Sequence, residues 1–244
     1  MQVTCHMLTY IQPFDDIDSF PALEHAQQEP NGLLAIGGDL SPERLLQAYR
    51  SGIFPWFNDD QPILWWSPDP RMILIPQEFH CSRSLGKATR KAGLSVSIDQ
   101  AFSQVIQQCS APRSYADSTW ITDSMLAAYH HLHQLGHAHS VEIWQDERLV
   151  GGLYGLAIGK MFFGESMFSL QSNASKIAFK ALSDFLQRNG FPLIDCQVYS
   201  EHLQSMGARE VSRKDFFQQV QALVNSPSHT NWNVKAVSLR TFID

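Results

Sequence analysis

The chemistry of this chain starts at a carboxylate and an amide two residues apart, Asp195 and Gln197, with Cys196 between them. On a strand, both side chains point to one face. There they can share a hydrogen bond and orient an incoming amine. The competing reading is a solvated strand face. Against it, Leu193, Ile194 and Val198 mark a well-buried strand, where polar groups need partners. A second carboxylate, Glu165, follows Gly164 behind Met161-Phe162-Phe163. A lone carboxylate among apolar neighbours is costly unless paired; the plain alternative is a strand-end glutamate in water. Ser166 and Ser169 have no His–Asp arrangement nearby, so a serine nucleophile is unsupported.

Metal ligation is equally unsupported. His130, His131, His133, His137 and His139 crowd together, and His130 and His133 share a helical face. No carboxylate or cysteine completes a ligand set. Cys5, Cys81, Cys109 and Cys196 are scattered without a CxxC pair. They read as reduced, mostly buried thiols rather than a zinc site or a disulfide framework.

Other residue types could approach or stack on a ligand. Gly37-Gly38, Pro55-Trp56 and Trp65-Trp66 bring backbone freedom and flat rings close together in sequence. Glycine lets a backbone approach a ligand, and an indole can stack on a base or a side-chain ring. For Trp56 and the distant Trp120, core packing is the ordinary alternative. Arg83, Lys87, Arg90 and Lys91 fall at i, i+4, i+7 and i+8, one face of a helix. Such a face is either merely solvated or binds phosphates, and phosphate binding would be salt-dependent. Between Arg71 and Lys91 the only acid is Glu78, although the chain's net charge is −6. That overall charge argues against a general nucleic-acid binder but not against a local patch.

Elements must position these residues. At 244 residues the chain has room for one large domain or two small ones. Strands are predicted at Leu8–Gln12, Leu33–Ile36, Met72–Ile75, Leu94–Ile98, Met161–Ser166 and Leu193–Val198. A hairpin is predicted from Ser140–Trp144 and Leu149–Ile158. Ser41-Pro42 opens a helix that stops near Gly52. Further helices are predicted at Ser82–Lys91, Ala101–Cys109 and Thr122–Leu135. The clearest runs from about Ala174 to Arg188, with apolar residues at i, i+3, i+4, i+7 and i+8. The two prolines of WWSPDPR mark a hinge, dividing the chain into residues 1–69 and 70–244. A meander followed by a helix and a strand gives an α+β fold with helices packed on a mixed sheet. No apolar run approaches the ~18 residues of a membrane span. MQVTCHMLTY lacks the basic and apolar regions of a secretory signal, so a cytoplasmic protein is expected. No long apolar surface stripe stands out, which favours a monomer.

The order of motifs is specific. EPNGLLAIGGDLSPERLLQAYRSGIFPWF, ILWWSPDPR, STWIT, LGHAHSVE, VGGLYG, FGESMFS, NASK and LIDCQV closely resemble the leucyl/phenylalanyl-tRNA–protein transferase family along nearly the whole chain. The resemblance implies transfer of Leu, Phe and, less readily, Met from aminoacyl-tRNA to the N-terminal Arg or Lys of an acceptor protein. That addition marks the acceptor for N-degron degradation. It implies a small N-terminal α/β domain and a GNAT-like mixed-sheet domain (acyl-CoA N-acyltransferase-like), with no cofactor. Asp195 and Gln197 would be the catalytic pair, with Glu165 beside the aminoacyl group and terminal ribose. Trp56 and Trp120 would flank the terminal adenosine and the aminoacyl side chain. Leu153, Met167, Leu182, Leu186 and Ile194 would wall an apolar pocket. Arg83, Lys87, Arg90 and Lys91 would contact the tRNA.

The principal rival is a CoA-dependent N-acetyltransferase. Its pyrophosphate loop, [RQ]-x-x-G-x-[GA] opening a helix, is approached by Arg148 to Leu153, but that segment fails at its last position and reads as strand. A non-catalytic binding module and an enzyme that extends cell-wall peptides are further alternatives.

Overall fold

The computed structural model describes residues 8–111 and 121–243. Before residue 67 the chain forms a small sheet of β1 (Thr9–Ile11), β2 (Leu33–Gly37), β3 (Phe54–Pro55) and β4 (Leu64–Trp66), ordered β1-β2-β4-β3. Gly37 and Gly38, at φ 89° and 78°, end β2 in a conformation that side chains resist. Helix α1 (Pro42–Arg50) follows, and Ser41 Oγ accepts the Arg44 N–H as its cap.

The remaining elements are β5 (Arg71–Leu74), α2 (Arg83–Ala88), β6 (Leu94–Ile98), α3 (Phe102–Ser110), α4 (Asp123–Gln134), β7 (Ala138–Gln145), β8 (Arg148–Ile158), β9 (Met161–Ser169), α5 (Ala174–Arg188), β10 (Leu193–Gln197), α6 (Glu201–Gln204), β11 (Arg209–Val211), α7 (Arg213–Leu223), β12 (Val234–Ser238) and α8 (Leu239–Ile243). Eight strands make one sheet ordered β11-β5-β10-β9-β8-β7-β6-β12. Strands β6 to β9 form an antiparallel meander. The β7–β8 turn is Asp146-Glu147, both at positive φ (49° and 69°), which suits a two-residue hairpin. Helix α5 then returns the chain so that β10 lies parallel to β9. This is the α+β arrangement expected from the sequence.

One apolar core cluster takes Tyr49, Phe54 and Trp65 from before residue 69 and Phe163 and Phe216 from after it. A second includes Ile177, Ala181, Leu182 and Leu186 of α5. Helix α5 meets β8 at Gly151, where an added Cβ would stand 2.5 Å from the Ala174 Cβ.

Several boundaries depart from expectation. Helix α2 stops at Ala88, so Arg90 and Lys91 lie beyond it and the four basic residues do not share one helical face. Gly86 weakens the helix interior, and Thr89 turns its hydroxyl back to the Gly86 carbonyl at 3.0 Å. Strand β9 runs on to Ser169 because β8 continues to pair with it. Sequence patterning marks no element beyond Val198; the structure adds α6, β11, α7, β12 and α8.

Candidate active site

Strands β9 and β10 pair only as far as Phe163 and Asp195. Beyond that point they part. Strand β9 stays with β8 to Ser169, while β10 bulges against β5 between Asp195 and Gln197. Gln197 takes φ 63°, a left-handed conformation that costs a non-glycine residue energy. A cavity of about 720 Å³ includes residues from both diverging ends. Its lining is apolar at Leu153, Phe162, Met167, Phe179, Leu182 and Ile194, and polar at Glu165 and Gln197. Trp56, 43% exposed, stands in its wall.

Asp195 is locked in place. Arg71 Nε and Nη2 donate to its two oxygens at 2.8 and 2.7 Å, and neither side chain is exposed. The Arg71 guanidinium also donates to the Gly52 carbonyl at 3.2 Å and lies 4.6 Å from the ring centres of Phe54 and Phe216. Asp195 Oδ1 accepts the Gln197 backbone N–H at 2.8 Å, which holds the left-handed turn. The expected sharing of one strand face by Asp195 and Gln197 is therefore revised, because the bulge interrupts the period of two. The Gln197 amide turns instead to Glu165, with Nε2 donating to Oε1 at 2.8 Å.

Glu165 is the hub. Tyr49 Oη donates to Oε1 at 2.7 Å and Tyr129 Oη to Oε2 at 2.9 Å. The two tyrosine hydroxyls also meet each other; with one hydrogen each, they close this triangle when the Glu165 carboxyl carries a proton and donates one of the three contacts. Burial pushes the Glu165 carboxyl up to about 8, the Asp195 charge adds to the rise, and the three hydrogen bonds oppose it. Burial, with the Glu165 charge behind it, raises both tyrosines well above their ordinary value, so they remain neutral donors. The Cys196 thiol is also pushed up, first by burial and then by the Asp195 charge, which leaves no thiolate nucleophile.

Sequence reasoning did not single out Arg71, Tyr49 or Tyr129 as site residues. The usable signal was a buried hydroxyl on each of two helices, which needs a partner. Among the expected pocket residues, Leu153, Met167, Leu182 and Ile194 line the cavity with Trp56. Leu186 does not. It lies one turn farther along α5 and is fully buried in the second core cluster. Trp120 lies outside the described residues. Arg83, Lys87, Arg90 and Lys91 are exposed and do not line the cavity. Its two carboxylates do not form a strongly acidic patch, since Arg71 neutralises Asp195 and Glu165 holds its proton to high pH. His139 pairs with Asp99 at 2.7 Å and His133 stacks on Phe102. Among the described residues no cluster of His, Cys, Asp or Glu could hold a metal. The Arg148–Leu153 segment lies inside β8 and opens no helix.

Residues 73–221 match the family described as leucyl/phenylalanyl-tRNA protein transferase, and residues 38–69 match its N-terminal domain. The chain is 59% identical to the leucyl/phenylalanyl-tRNA–protein transferase of Ectopseudomonas mendocina (strain ymp), over 93% of this chain and 99% of that one. It is 55% identical to the protein of the same name from Pseudomonas syringae pv. syringae (strain B728a), over 95% of this chain and 100% of that one. The chain belongs to the leucyl/phenylalanyl-tRNA–protein transferase family. Trp56 falls in the family's N-terminal domain, Glu165 and Gln197 in the larger part, and Arg71 between the two matched segments. A solved aminoglycoside acetyltransferase from an uncultured soil sample overlaps 59% of the chain and 97% of its own, with 16% identity and a TM-score of 0.34. Among the described residues no helix is long and apolar enough to cross a membrane.

Proposed function

We propose that this protein transfers Leu, Phe and, less readily, Met from aminoacyl-tRNA to the N-terminal Arg or Lys of an acceptor protein. Family membership supports the reaction class. The observation that carries the finer reading is the cavity itself, an apolar recess with a hydrogen-bonded carboxyl–amide pair in its wall. The aminoacyl side chain enters among Leu153, Met167, Leu182 and Ile194. These four side chains are apolar and carry no charge, so Leu and Phe fit among them and Lys or Asp would lose solvation unpaired. Each CH₂ missing from a smaller side chain forfeits about 0.8 kcal/mol.

The reaction is aminolysis. The acceptor's α-amine attacks the ester carbonyl, a C–N bond forms, and the C–O bond to the ribose breaks. The ester is already activated, so positioning two substrates supplies much of the acceleration. The Gln197 carbonyl is left to accept from the attacking amine, because its amide nitrogen is committed to Glu165. The ionised fraction of Glu165, which titrates at about 8, takes the amine proton and returns it to the departing ribose oxygen. Asp195 acts through Gln197 as a positioning residue. Arg83, Lys87, Arg90 and Lys91 provide an exposed basic surface for the tRNA. The new N-terminal residue marks the acceptor for degradation in the cytoplasm, where the protein works as a monomer.

The test is transfer of labelled Phe from Phe-tRNA, without CoA, to a peptide beginning with Arg and to one beginning with Asp. Label on the Arg peptide alone is expected. No label on either, with acetylation when acetyl-CoA is added, would overturn the reading.

A further inference from the structure

Helix α5 begins at the cavity wall, and its first turn holds unused hydrogen-bonding groups. Ser175 lines the cavity and is only 8% exposed. Its backbone N–H is engaged by Ser169 Oγ at 3.3 Å, yet its own hydroxyl bonds to no described group. Asn173 precedes the helix at φ 68°, and its side chain caps nothing. Lys176 follows. One turn on, Lys180 is held by Asp184, but Lys176 has no carboxylate partner among the described residues. His202 also lines the cavity, and its imidazole is pulled below the ordinary value, by burial first and by the Lys176 charge second. Lys176 is thus close enough to His202 to act on its charge, beside the start of α5.

The Ala174 N–H donates to the Gln171 carbonyl and the Ser175 N–H to Ser169 Oγ, so the start of α5 offers chiefly the Lys176 N–H and the positive potential of a helix N-terminus. The Ser175 hydroxyl, on the cavity wall and without a side-chain partner, adds a directed donor, and an ammonium adds a full charge. Together they suit a phosphate. We propose that the N-terminus of α5, Ser175 Oγ and Lys176 bind the phosphodiester 5′ to the terminal adenosine of the aminoacyl-tRNA. The nucleotide is then fixed from its phosphate as well as from its aminoacyl group. This rests on the transfer reading above.

The probes are the non-hydrolysable amide of phenylalanyl-adenosine with a free 5′-hydroxyl and the same compound carrying a 5′-methylphosphate. Equilibrium binding of the wild type should favour the phosphate form about tenfold, the scale of a charge-assisted hydrogen bond. Lys176→Ala and Ser175→Ala should each erase most of that preference and leave the affinity for the hydroxyl form unchanged. Lys176→Arg should keep it. Equal wild-type affinity for the two forms, or an equal loss for both in Lys176→Ala, would overturn the assignment. So would a Lys176→Ala effect on coenzyme A binding with none on the methylphosphate form. A wild type that shows the phosphate preference but transfers nothing from Phe-tRNA sinks the transfer reading and leaves this site standing.

Discussion

Replacing Arg71 with Met removes the guanidinium that bridges both oxygens of Asp195 in a place where neither side chain is exposed. What is lost is not simply the value of the pair. An unpartnered carboxylate is left in the core, at a cost on the order of 3–5 kcal/mol. The loss includes a hydrogen bond to the Gly52 carbonyl and contacts with Phe54 and Phe216, all at the junction of the two sheets. Against a total stability of roughly 5–15 kcal/mol, that is a large fraction. Urea denaturation of the wild type, Arg71→Met, Asp195→Asn and the double variant measures it. Asp195→Asn strands the positive charge instead, so it too is destabilised. The double variant removes both charges, keeps an oxygen for the Gln197 N–H, and should recover about 1–3 kcal/mol relative to additivity. A loss below about 1 kcal/mol in Arg71→Met, or strict additivity in the double variant, would refute the reasoning.

Glu165 provides a pH test. Its folded value of about 8 lies above the ordinary 4.5, so the folded state keeps a proton that the unfolded state releases. Its contribution is fully present below about 4.5 and is lost as pH rises towards 8, by up to about 1.4 kcal/mol per pH unit. Subtracting the denaturation profile of Glu165→Gln from that of the wild type should expose this slope; a flat difference would contradict it. Tyr129→Phe removes a hydrogen bond that lowers the Glu165 value, so the acidic limb of the transfer rate, where Glu165 must lose its proton to act as base, should move to higher pH, and an unmoved limb counts against the network. Gly151→Ala drives a Cβ into Ala174 and should cost about 1–3 kcal/mol by thermal melting; an unchanged melt would mean that α5 can shift freely. Replacing Arg83, Lys87, Arg90 and Lys91 with Ala should make the slope of log K against log salt for tRNA about 3 units shallower. An unchanged slope would remove these residues from the tRNA surface.

Much of this architecture was legible in the sequence. The Ser41-Pro42 start, the Thr122 cap, the hairpin and the long amphipathic α5 obey local rules, and the structure follows them. The cavity wall was legible in part, since Leu153, Met167, Leu182 and Ile194 line it while Leu186 sits a turn too far along the helix. What local rules could not supply was long-range pairing. The partners of Glu165 come from α1, α4 and β10, and Arg71 lies 124 residues from Asp195. The bulge that turns Gln197 away from Asp195 depends on strand pairing with β5 and β9. A period-two reading of a single strand does not contain it. The basic run was misread for a simpler reason: Gly86 and Thr89 end the helix before its pattern is complete.

The most direct measurement is a crystal structure with the non-hydrolysable phenylalanyl-adenosine amide bound. The account predicts the phenyl ring among Leu153, Met167, Leu182 and Ile194, the amide carbonyl carbon beside Gln197 and Glu165, and the Arg71–Asp195 pair unbroken. An aminoacyl group bound elsewhere, or a Glu165 that turns away from the ligand and from Gln197, would contradict it.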